Sequence, residues 1–91
     1  MMISAAMPSP MVNARQIRAG RAWLGWSQQQ LADASTVAKR TIIRAEQDGD
    51  QAAVQARTLR DIQRALEDAG VRFLFDGEVG TGIADAAQVG R

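Results

Sequence analysis

The sequence has no cysteine and no histidine. The first absence excludes disulfides and thiolate metal sites. The second removes the commonest general base and the commonest transition-metal ligand. A catalyst would have to be built from carboxylates, Lys39 or hydroxyls alone. No nucleophile–base pair and no metal cluster stands out, so an enzyme is the least favoured class and no cofactor is implied. No apolar run approaches the roughly 20 residues that a membrane span needs. The opening MMISAAMPSPM lacks a basic start and a continuous apolar stretch, so it makes a poor secretion signal. These absences point to a cytoplasmic protein. Proline is scarce, and both copies, Pro8 and Pro10, fall in the first dozen residues. Residues 1–12 therefore read as a disordered tail.

What is present fits one small domain of 91 residues with a modest core. The net charge of +1 conceals a division. Between Asn13 and Gln47 there are six cations and two acids, a net +4. From Asp48 onward five arginines face eight acids, a net −3. The first half suits a polyanion and the second does not.

Helical spacing organises most of the chain. A first helix begins after the capping residue Asn13, carries Ala14, Ile17, Arg21 and Leu24, and stops at Gly25. A second opens at Ser27, with Gln30 three residues on in the capping-box position, and ends near Ser35. A third is expected over Ala38 to Gln47, with Lys39, Arg40 and Arg44 on one broad face. Asp48-Gly49-Asp50 is a loop signal. A fourth, from about Gln55 to Ala69, is marked by Leu59, Ile62 and Leu66. Val71 to Phe75 then alternates as a strand, with a turn at Asp76-Gly77 and a possible return over Val79 to Ile83. The expected architecture is all-α: a four-helix domain over 13–70, a strand or hairpin over 71–83, and a flexible tail over 84–91.

Two short helices joined by a few residues suit a helix-turn-helix. The run RAGRAWLGWSQQQLADASTVAKRTIIRAEQ resembles the Cro/cI-type, or Xre-type, helix-turn-helix repressors. The most specific pieces are Gly-Trp-Ser-Gln-x-x-Leu-Ala at Gly25 to Ala32 and Thr-Ile-x-Arg-x-Glu at Thr41 to Glu46. The resemblance implies a lambda-repressor-like bundle that binds double-stranded DNA. It implies that Ser27 and Gln28 meet the DNA backbone, that Lys39, Arg40 and Arg44 face base edges, and that Thr41 meets a phosphate or a thymine methyl. It places Leu31, Ala32, Val37 and Ile42 where they lock the two helices at their angle. It also implies a structural ion pair between Arg21 and Glu46.

The chain departs from the family pattern at the turn. Thr36 stands where glycine is usual, so a left-handed conformation there would be costly or avoided. Ala38 stands where a serine or threonine usually caps the third helix. Trp26, just after a C-cap glycine, is expected to fold back into the core, and Trp23 to be half exposed. Val71, Phe73 and Phe75 either close the core beneath the fourth helix or pair with a second copy to build a two-fold dimer. The function indicated is a sequence-specific transcriptional regulator, a repressor reading the major groove as a homodimer. The alternatives are the antitoxin of a toxin–antitoxin pair, whose acidic second half holds a toxin, and an interaction module that has lost DNA binding.

Overall fold

The computed structural model describes residues 10–49 and 54–88. Within them are four α-helices and a two-stranded antiparallel hairpin, in the order α1 (Ala14–Leu24), α2 (Gln28–Ser35), α3 (Lys39–Ala45), α4 (Ala56–Asp68), β1 (Val71–Asp76) and β2 (Val79–Asp85). The fold is mostly helical, as expected. A 3-10 turn over Ala86–Gln88 follows β2.

Each boundary has a local cause. Asn13 and Gln16 form a reciprocal capping box at the start of α1. Gly25 ends that helix in the left-handed conformation, at φ 70°. Trp26 then donates its N–H to Arg21 O at 3.0 Å and packs, partly buried, against the core. Trp23 is exposed. Helix α3 is shorter than its spacing suggests. Ala38 is its uncapped N-cap, and the chain tightens at Glu46, whose N–H is shared between Ile42 O and Ile43 O. Gly70, at φ 111°, turns the chain from α4 into β1.

One core joins every element. Ile17 of α1, Leu31 of α2, Ile42 of α3, Ile62 and Leu66 of α4 and Val71 of β1 are fully buried. Val12 is fully buried as well, and Met11 packs beside it. The expected tail over 1–12 is therefore too long: an apolar pair just before the α1 cap is drawn into the core. Residues 1–9 lie outside the described residues.

The hairpin's apolar face takes the first of its two expected roles, and β2 runs longer than expected. Val71 and Phe73 are buried and Phe75 packs against the core, so this face closes the monomer. Strand β2 runs on to Asp85, and Ala86 N–H then donates to Gly70 O at 2.9 Å. The expected flexible tail from residue 84 thus begins too early. Residues 89–91 lie outside the described residues.

One glycine of β2, Gly80, is explained by α1. The hairpin register shifts between Leu74 and Phe75, which opens the ladder at a bulge. Gln16, almost wholly buried, fills that opening. Its Nε2 donates to Leu74 O at 2.8 Å and to Gly82 O at 3.1 Å. Asn13 Nδ2 donates to Gly80 O at 3.1 Å. The two side chains that cap α1 therefore also anchor the hairpin. A Cβ on Gly80 would overlap the Gln16 carboxamide and crowd Asn13 Nδ2. Gly80→Ala should destabilise the domain by about 1–3 kcal/mol, through overpacking and loss of buried hydrogen bonds. Urea titration checks this, and an unchanged midpoint would show that the anchor yields freely.

Candidate nucleic-acid interface

Helices α2 and α3 are separated by only Thr36, Val37 and Ala38. Helix α2 starts with a complete capping box. Ser27 Oγ accepts from Gln30 N–H at 3.0 Å, and Gln30 Oε1 accepts from Ser27 N–H at 2.7 Å. Leu31 and Ala32 are buried on one side of the turn and Ile42 on the other, with Val37 partly buried between them. These contacts fix the angle between the helices.

Thr36 does adopt the left-handed conformation, at φ 60° and ψ 32°, and it is the one non-glycine residue with positive φ among those described. The turn keeps its glycine-type geometry and carries the strain of a β-branched residue there. The strain is offset by the anchors on both sides: Val37 N–H donates to Ala32 O, and Leu31 and Ile42 are inaccessible to water. Thr36→Gly should therefore stabilise the domain by roughly 1 kcal/mol, the strain relieved exceeding the added freedom of the unfolded chain. Thermal unfolding checks this, and a lower melting temperature would contradict it.

Helix α3 has no side-chain cap at its start, so its position is set from its far end, by α1. Arg21 Nε meets Glu46 Oε2 at 2.7 Å, and Arg21 Nη2 meets Glu46 Oε1 at 3.0 Å. Arg21 Nη1 also donates to Trp26 O at 3.0 Å. The hydrogen bonds that Arg21 donates to the Glu46 carboxylate push its pKa above the ordinary value, against the opposing effect of burial. Any stability linked to that shift is present below the unfolded-state pKa of arginine and is lost only in strong alkali.

Sequence reasoning missed three parts of this arrangement. Arg18 Nη1 donates to Glu46 O and lies 3.5 Å from Asp48 Oδ1, so it also holds the end of α3. Arg18 lies three residues before Arg21, on a neighbouring strip of the helix surface, and that spacing was its available signal. Gln28 Nε2 donates to Glu46 Oε1 at 3.2 Å, which ties α2 into the same cluster. Gln16, described above, had no sequence signal beyond its place in the capping box.

The rest of α3 faces outward. Ile42, Ala45 and Glu46 are buried, whereas Lys39, Arg40 and Arg44 are exposed and Thr41 is partly buried. The three cations make no ion pair among the described residues; those found involve Arg15, Arg18 and Arg21. Ser27 is exposed, next to Gln28 at the start of α2. No helix among the described residues is long and apolar enough to cross a membrane.

A capped first helix, a three-residue turn and a second helix with an exposed cationic face together define a helix-turn-helix. The comparisons with known proteins agree. A helix-turn-helix family model of the Cro/C1, Xre-like type matches residues 17–67, more than half of the sequence. The chain belongs to this family, whose domain is that of DNA-binding regulators. A search of curated proteins found no match.

Proposed function

We propose that the protein is a sequence-specific repressor that places α3 in the major groove. The observation that carries this reading is the outward face of α3. Three cations without an ion partner among the described residues stand on a helix whose other side is locked into the core. Arginine and lysine donate to guanine O6 and N7, so the half-site should contain guanine. Ser27 and Gln28 sit against the DNA backbone, where the start of α2 offers free N–H groups and its positive dipole end. Phosphate oxygens only accept. Gln28 Nε2 has two hydrogens, and with one on Glu46 the other remains for a phosphate. Thr41 contacts a phosphate or a thymine methyl at the edge of the same face.

The protein acts as a homodimer in this reading. One reading helix buries too little DNA for tight specific binding, and paired half-sites about 34–36 Å apart solve this. The second copy docks on the hairpin, where Leu74 and Val79 stay exposed although neighbouring apolar side chains close the core.

Selection of bound duplexes from a random pool tests the whole reading. The expected product is a guanine-containing inverted repeat with half-site centres one helical turn apart. Affinity should fall steeply with salt. Failure to enrich any duplex would overturn the proposal. Enrichment of a single half-site by a protein that scatters light as a monomer would remove only the dimer.

A further inference from the structure

Ile43 is a large apolar side chain left exposed on α3, at 37% of its full accessibility. The core does not use it: Ile42 and Ala45 fill the buried side of the helix and are inaccessible to water. Local helix stability does not call for it either. A β-branched residue is a mediocre helix former, and this short helix lacks a side-chain cap.

Its position among its neighbours is informative. At about 100° per residue, Ile43 falls about 40° from Lys39 and about 60° from Arg40 around the helix. It therefore lies within the arc spanned by Lys39, Arg40 and Arg44, between the first two. Helical side chains also lean toward the N-terminus, which carries Ile43 over the turn that bears Lys39.

We infer that Ile43 is a specificity-determining residue that reads the C5-methyl group of a thymine beside the guanines contacted by its cationic neighbours. The inference rests on the proposed major-groove reading and adds a base to it. Among the base edges in the major groove, the thymine methyl is the apolar feature; the others are hydrogen-bond donors and acceptors. An isoleucine pressed against those polar atoms would strip them of water without replacing their hydrogen bonds. Against a methyl it removes two apolar surfaces from water together. Ile43 thus rewards thymine and penalises the other bases at one position of the half-site.

The test replaces each thymine of a selected duplex, one at a time, by uracil, which lacks only the methyl. The full-length protein should lose roughly three- to fivefold in affinity at one thymine in each half-site, the value of one buried methyl group. Ile43→Ala should bind the thymine and uracil duplexes equally at that position. Thr41→Ser removes the methyl of the neighbouring side chain already proposed to contact DNA; whatever it does to overall affinity, the uracil sensitivity at the Ile43 position should persist. The inference is overturned if no thymine is sensitive, if Ile43→Ala stays sensitive, or if Thr41→Ser loses the effect. A protein that enriches no duplex removes the DNA reading itself, whereas enrichment without uracil sensitivity removes only the role of Ile43.

Discussion

Glu46→Ala should lower the stability of the domain by about 3 kcal/mol. Removing one partner of a buried ion pair typically costs 3–5 kcal/mol, because the other charge is left without compensation. The low end applies here because the Arg21 side chain keeps 23% of its surface in water, against 4% for Glu46. Arg18 and Gln28 add to the cluster, but only Gln28 loses its partner in the variant, since Arg18 bonds the backbone carbonyl of Glu46. For a domain of this size the loss corresponds to a fall in melting temperature on the order of 15 °C. Glu46→Gln should behave similarly, since a neutral amide holds the guanidinium without cancelling its charge. The paired replacement Arg21→Met with Glu46→Leu should recover most of the loss, because a well-packed apolar pair avoids the desolvation that the ions suffer. Urea titration of the singles and the double separates a true pair from two independent charges. Additive losses in the double variant would defeat the idea of a coupled pair.

The reach of the sequence differs between elements for physical reasons. Helices α1 and α2 were legible because their start signals are local: Asn13 marks the first, and Ser27 with Gln30 three residues on marks the second. The cationic face of α3 was legible because Lys39, Arg40 and Arg44 occupy one arc of one helix. The ends of α3 were not, because Ala38 gives no capping signal and the tightening at Glu46 depends on contacts from Arg18 and Arg21, 28 and 25 residues away. Gly80 of β2 has an equally remote cause. As a local signal Gly80 weakens a strand, but here it makes room for a side chain 64 residues earlier. Thr36 shows the opposite case. Its local preference argues against the left-handed turn, and packing of Leu31, Val37 and Ile42 overrides it.

The clamp at Glu46 is also what lets the outward face of α3 be altered without disturbing the fold, and the second prediction uses this. The double variant Arg40→Ala with Arg44→Ala should weaken binding to the selected operator by roughly thirtyfold to twenty-thousandfold. That range follows from two guanine contacts of roughly 1–3 kcal/mol each, at about 1.4 kcal/mol per tenfold. Its melting temperature should stay within about 2 °C of the parent, since both side chains are exposed and unpaired among the described residues. Salt dependence then decides what the arginines touch. If they contact bases, the slope of log affinity against log salt is unchanged while discrimination between operator and random duplex collapses. If they contact phosphates, the slope falls by roughly one for each arginine and all duplexes weaken alike. The geometry favours the first outcome: opposite the buried side of α3 formed by Ile42, Ala45 and Glu46, the side chains standing furthest from the core are those of Arg40 and Arg44. A double variant that binds its operator with parental affinity would mean that this face is solvated and that DNA is read elsewhere.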